Sequence, residues 1–258
     1  MNLADVLLIL LLGTSFLGSC WALGFFRQKI KQGQFKQSLA PGLSLSWALL
    51  IPWMLGFALI FTKAPLWVIP YSLGSAFLVL AHNRQSMALW NFQPRDLPRH
   101  LSLAFLTLLA LLIPLSLIKM LSDLVCNALN LPLDVQEPIR IFLNSRGWVE
   151  ILNFFILACI IAPLWEEITF RGFLYPILKS KLGNLPAILL SAVLFASIHQ
   201  NEAAFLPLTC FGIVLALLYD RSGSLLPSIF LHAFFNGFTC IFLLLIKLAA
   251  NPAWTQGL

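Results

Sequence analysis

Residues 101–118 read LSLAFLTLLALLIPLSLI, a stretch that contains no Asp, Glu, Lys or Arg. Residues 6–26 lack the same four residue types. About 20 consecutive apolar residues form a helix long enough to cross the hydrocarbon core of a bilayer. These stretches therefore predict transmembrane helices.

The composition of the whole chain agrees with this prediction. Of the 258 residues, 60% are hydrophobic and only 10% are charged, whereas roughly a quarter of a soluble domain is charged. We predict an all-α fold, a polytopic bundle of about eight transmembrane helices. Such a chain is a multi-pass integral protein of the plasma membrane or an internal membrane. The predicted segments are 3–26, 43–62, 66–81, 101–118, 148–178, 185–199, 205–219 and 225–247.

The basic residues predict the orientation of the bundle and its partners. The formal net charge is +6, and Lys and Arg cluster in the short connections between segments. If successive segments cross the membrane in alternating directions, eleven basic residues lie on one side of the membrane and five on the other. The richer side is expected to face the cytoplasm, so both termini face away from it. We expect the bilayer to be the partner, and no nucleic acid.

Segment 3–26 is predicted to be a retained helix, because Asp5 stands where a signal peptide carries basic residues.

Two adjacent carboxylates interrupt the apolar segment 148–178, where the chain reads PLWEEITFR from Pro163 to Arg171. Ionisable groups at membrane depth are expensive, so Glu166 and Glu167 predict a functional site. Glu167 and Arg171 lie four residues apart and can pair on one helix face. Glu166 points about 100° away and has no such partner. We therefore expect Glu166 to be free to act as a base toward another helix.

Later segments supply polar partners at comparable depth. Glu166 lies 17 residues before Gly183, and His199 lies 15 residues after Asn184. A helical hairpin therefore places both about 23–26 Å from the turn. His232 lies nine residues past Gly223, which is only about 13 Å into the last helix. The last helix must then be tilted, or the first hairpin must be longer, for the groups to meet.

Each of these residues also has a purely structural interpretation. A buried His can bond a backbone carbonyl, Glu167 with Arg171 can be a structural ion pair, and Phe195 can serve packing alone. Asn236, on the same face as His232, can simply join two helices. Taken together, carboxylates, imidazoles and an amide in an otherwise apolar bundle favour a functional site.

The pattern resembles the CPBP family of intramembrane proteases, which includes the CAAX prenyl endopeptidases and bacteriocin-processing or immunity proteins. Three motifs carry the resemblance, in order along the chain: EEITFR at 166–171, FASIH at 195–199 and HAFFN at 232–236. The similarity covers roughly residues 145–247. We therefore divide the chain into residues 1–144, transmembrane helices without a recognised motif, and residues 145–258, a CPBP-like catalytic helical core, within one integral membrane unit.

The resemblance implies an endopeptidase that hydrolyses membrane-associated substrates. Glu166 and His199 would activate the attacking water, and His232 and Asn236 would stabilise the oxyanion. Glu167 and Arg171 would be supporting residues. The substrate would be a peptide or protein, and a CAAX-type role would require it to be prenylated.

The residues leave the need for metal open. A catalytic zinc takes three protein ligands plus water, and Glu166, His199 and His232 could supply them, with Glu167 as base. The sequence has no His-Glu-x-x-His helix, however. Water activation without a cofactor is therefore the preferred prediction.

Two other classes of function remain open. A non-catalytic membrane scaffold or immunity protein could use the same bundle. A transporter or channel could use the buried Glu and His residues as a proton or ion relay, although the sequence shows no inverted repeat.

Overall fold

The computed structural model describes residues 94–145 and 147–250, which form a short 3₁₀ turn at Pro94–Asp96 and six helices. In chain order the helices are α1 Leu97–Ala128, α2 Glu137–Asn144, α3 Trp148–Leu182, α4 Asn184–Ser197, α5 Glu202–Ser222 and α6 Leu226–Ala250.

Four of these helices, α1, α3, α5 and α6, are long and apolar enough to cross a membrane. The 14 residues of α4 form a shorter apolar helix that packs beside them. The all-α transmembrane prediction is confirmed, and the chain is an integral, multi-pass membrane protein. The predicted segments 3–26, 43–62 and 66–81 lie outside the described residues, so the count of eight stays a prediction.

The first described helix is longer than predicted. The sequence predicts one segment over 101–118 and the next from residue 148, but α1 continues to Ala128. Lys119 and Asp123 form an exposed i, i+4 ion pair within this extension. The connection is therefore confined to residues 129–147, where the short helix α2 places Phe142 against the ring of Phe154.

The bundle is organised around an antiparallel hairpin of α4 and α5. α1 packs across both α5 and α6, whereas α3 contacts α6 with its first half and α4 with its second half. Two clusters of buried apolar side chains lie at these contacts. In one of them, residues of α1, α4, α5 and α6 pack around Phe195, Phe211 and Leu215.

α3 contains two widened stretches. It is π-helical at Leu157–Ile161 and again at Ile168–Leu174, and Ala162–Glu167 between them is α-helical. Pro163 and Pro176 follow the two wide stretches within two residues. A proline removes an N–H and crowds the carbonyl four residues earlier, so the helix widens ahead of it. Such π-helical bulges are frequent at functional sites, and here they bracket Glu166 and Glu167.

Candidate active site

Glu167 and Arg171 form the predicted ion pair within α3. Arg171 Nη1 donates to Glu167 Oε1 over 2.9 Å, and both side chains are 0% exposed. Arg171 Nη2 also donates to the carbonyl of Gly212 in α5 over 3.0 Å. The guanidinium lies 4.6 Å from the centre of the Phe195 ring. Arg171 therefore compensates the buried carboxylate and ties α3 to both helices of the α4–α5 hairpin.

His232 lies between the two carboxylates. Its Nδ1 is 3.0 Å from Glu167 Oε1, and its Nε2 is 3.8 Å from Glu166 Oε2. The carboxylate paired with Arg171 can only accept, so Nδ1 carries the hydrogen in this contact, and Nε2 faces Glu166. Glu167 thus orients His232 as well as pairing with Arg171, a contact that the sequence did not reveal.

The depth mismatch expected for His232 is removed by an offset between α3 and α6. A methyl group added to Gly172 would lie 3.6 Å from Leu225 Cδ1, so these two positions are level. Gly172 is eleven residues before the α3–α4 turn at Gly183, whereas Leu225 is only two residues past Gly223. About 16 Å of α3 therefore lies beyond this contact.

His199 lies just beyond the end of α4 and is half-buried. Its Nδ1 is 2.9 Å from the carbonyl of Phe195, which assigns the hydrogen to Nδ1 and leaves Nε2 as the basic nitrogen. The Phe195 ring centre is 5.1 Å from that of His199 and 5.7 Å from that of His232. Phe195 is therefore a packing residue, as its simplest interpretation held, but it packs against both imidazoles.

Asn236 shares a face of α6 with His232, and its amide is engaged with α3. Asn236 Nδ2 donates to the carbonyl of Ala158 over 2.7 Å. Continuing the π-helical pattern of Leu157–Ile161 would pair that carbonyl with the N–H of residue 163, which is a proline. The side chain supplies the missing donor, so in this arrangement Asn236 joins two helices.

The three donors suggested for zinc do not come together as one set. Among residues 94–145 and 147–250, no three His, Cys, Asp or Glu side chains are gathered closely enough to share a metal ion. Glu166 and His232 approach each other, but His199 does not complete a three-ligand cluster with them.

A second polar cluster lies toward the α3–α4 turn and was missed from the sequence. The Asp220 carboxylate accepts from the hydroxyl of Tyr175 over 2.7 Å and from the ammonium of Lys179. Asn184 Nδ2 donates to the same carboxylate over 3.3 Å. These contacts tie α3, α4 and α5 together. A lone acidic residue near the end of an apolar helix was the available signal.

Gly212 provides a direct test of the packing that supports Arg171. A methyl group at this position would lie 3.1 Å from Ala192 Cα and 3.2 Å from the Phe195 ring. Alanine is the better helix former by about 1 kcal/mol, so a purely local effect would stabilise α5. We expect Gly212→Ala instead to lower both the thermal midpoint and the activity, because backbone must shift and Phe195 touches both imidazoles. Gly147→Ala, where the added methyl meets nothing within 4 Å, is the control for thermal unfolding in detergent.

Comparison with known proteins supports the resemblance drawn from the motifs. The family model of the type II CAAX prenyl endopeptidase Rce1-like proteins matches residues 148–238, which contain all the candidate site residues.

Two curated relatives agree with this match. The chain is 34% identical over 102 residues to "Putative membrane peptidase YdiL" of Bacillus subtilis, covering 38% of this chain and 42% of that protein. It is 27% identical over 151 residues to CAAX prenyl protease 2 of Homo sapiens, covering 49% of this chain and 46% of the relative. The chain thus spans less than half the length of either protein. No solved structure matches it.

Proposed function

We propose that this integral membrane protein is an endopeptidase that hydrolyses peptide bonds within the bilayer. One observation carries the proposal: the His232 ring lies between two carboxylates, and the rings of His232 and His199 both pack against the ring of Phe195. The match to an endopeptidase family over residues 148–238 supports the same chemistry.

Glu166 is the proposed general base. Its side chain is 15% exposed, and its Oε2 has no hydrogen-bond partner among the described residues. Glu167 also has an Oε2 without a partner, but its Oε1 is bound by Arg171 and His232 and its side chain is 0% exposed, so water does not reach it. A carboxylate that is not fully enclosed and has an oxygen without a partner can take a proton from water.

The two imidazoles complement the carboxylate. We assign His199 the role of helping to hold and activate the water, since its Nε2 is free of the bond that fixes Nδ1. The proton that Glu166 takes from the water passes to His232 Nε2, 3.8 Å from Glu166 Oε2, and from there to the leaving amine. While it is held on Nε2 it stabilises the tetrahedral oxyanion, and Glu167 on Nδ1 stabilises the imidazolium cation. Asn236 has a second amide hydrogen besides the one given to Ala158, so its proposed oxyanion role requires only that hydrogen.

The substrate is proposed to be a membrane-associated peptide or protein cleaved near the cytoplasmic face. The human relative is named CAAX prenyl protease 2. For this chain, a prenylated substrate is the narrower form of the proposal, and an unmodified membrane peptide is the broader one.

The experiment compares membrane and small-peptide proteomes of cells that carry the parent protein or Glu166→Ala at matched abundance. The proposal expects uncut precursors to accumulate in the variant and their fragments to disappear. Identical proteomes under several growth conditions, with the phenotype of the parent retained, would instead point to a non-catalytic scaffold. A proton flux into liposomes that is lost in Glu166→Gln would indicate a transporter.

A further inference from the structure

The candidate site is divided between two parts of the bundle. Glu166 is carried by α3 and His232 by α6, and the first half of α3 packs on α6. His199, in contrast, lies in the turn between α4 and α5. Since a displacement of about 1 Å can lower a rate 10²-fold, something must hold the α4–α5 turn in place relative to α3 and α6.

Residues 129–145, which we call the strap, join these two parts at one end of the bundle. At the α4–α5 turn, Asn201 Nδ2 donates to the carbonyl of Asp134 over 2.8 Å. At the other end, Lys247 of α6 donates to the carbonyls of Leu143 and Ser145 over 2.6 and 2.8 Å. The strap also places Phe142 on Phe154 of α3, with ring centres 4.9 Å apart.

Asn201 has two separable functions in this arrangement. Its Oδ1 accepts from the backbone N–H of Ala204 over 2.8 Å, which caps the first turn of α5. Its Nδ2 makes the strap contact. The residue before it, Gln200, has a φ of +47°, a left-handed conformation that non-glycine residues adopt at a cost. The turn that carries His199 is therefore held by its contacts rather than by local preference.

We propose that Asn201 is a positioning residue, whose amide holds the strap to the α4–α5 turn and so fixes His199 relative to Glu166 and His232. This inference rests on the proposed peptidase function. It adds a requirement that none of the three sequence motifs contains, because Asn201, Asp134 and Lys247 all lie outside them.

The test uses substitutions that separate the two functions. Asn201→Ser and Asn201→Asp keep an oxygen for the α5 cap but lack the amide donor. We expect both to lower kcat about tenfold while KM stays within about twofold and the thermal midpoint is unchanged. Asp134→Ala is the matched control, since the strap contact uses its backbone carbonyl, and it should behave as the parent.

The other end of the strap gives an independent measure. Lys247→Met should also lower kcat, and the double variant with Asn201→Ser should lose little more, because both changes release the same segment. A fully additive loss would contradict a shared strap. Parent kcat in Asn201→Ser would overturn the proposal directly.

Two measurements do not depend on activity and separate this inference from the proposed function. Amides of residues 129–145 should exchange faster in Asn201→Ser than in the parent or in Asp134→Ala. Carbethoxylation by diethyl pyrocarbonate, followed by mass spectrometry, should change its rate at His199 and not at His232. If the parent cleaves no substrate but both results are obtained, the positioning stands and the peptidase proposal fails. Unchanged exchange and unchanged His199 reactivity would reject the positioning whatever the activity.

Discussion

Glu166→Gln is expected to lower peptide hydrolysis by the purified protein about 10³-fold, the usual contribution of a general base. Glutamine has nearly the same shape but cannot take a proton from water. The fold should survive, because the Glu167–Arg171 pair and the contact of Glu167 with His232 do not involve Glu166. The measurement is kcat/KM on a cleavable membrane peptide in proteoliposomes, beside thermal unfolding of the same preparation.

Glu202→Gln is the control for this change. Glu202 is exposed in the first turn of α5, three residues past His199. The substitution therefore removes one carboxylate near the site and leaves the proposed base unchanged. It should retain activity within about twofold, as is usual for substitutions away from the chemistry. Equal losses in the two variants would indicate a general charge effect.

We also expect the parent to remain active in the presence of a metal chelator. Activity that is lost with chelator and restored by zinc would replace the metal-free mechanism.

Arg171→Met is expected to lower the free energy of unfolding by about 3–5 kcal/mol, the cost of leaving a buried charge without its partner. Glu167 and Arg171 are both 0% exposed, so water cannot substitute for the lost guanidinium. The carbonyl of Gly212 also loses its hydrogen bond from Arg171 Nη2. Thermal and denaturant unfolding in detergent, followed by circular dichroism, would measure the change.

Two further variants show whether charge is the cause. Lys119→Met breaks a pair of the same i, i+4 spacing whose side chains are 48% and 38% exposed, and an exposed pair contributes at most about 1 kcal/mol. The double variant Glu167→Gln with Arg171→Met removes both buried charges, and it should be more stable than Arg171→Met alone. If Arg171→Met unfolds like the parent, the pair has no structural role.

The sequence singled out the polar residues of the candidate site but did not reveal their contacts. Apolar composition marked Glu166, Glu167, His199 and His232 as exceptional, because polar groups in lipid are costly wherever they lie. The i, i+4 pairing of Glu167 with Arg171 followed from helix geometry and is confirmed. The bond from Glu167 to His232 joins residues 65 positions apart, and no local rule predicts it.

Helix periodicity also fails where the helix is irregular. In a regular α-helix, successive side chains point 100° apart around the axis. In α3, two π-helical stretches lie on either side of the carboxylates and change these directions. Their effect reaches Asn236, whose amide goes to the Ala158 carbonyl that Pro163 leaves without a donor. The prolines were visible in the sequence, but the widened turns ahead of them were not.

By itself, then, the sequence determined that this protein is an α-helical membrane protein and which few polar residues interrupt its apolar helices. Both follow from local quantities, the length of an apolar run and the cost of a charge in lipid. Only the tertiary structure decided that α3 and α6 are offset at the Gly172–Leu225 contact, that His232 lies between Glu166 and Glu167, and that Asn201 ties a distant strap to the turn of His199. These depend on how far one helix slides along another, which is set by packing between side chains remote in sequence.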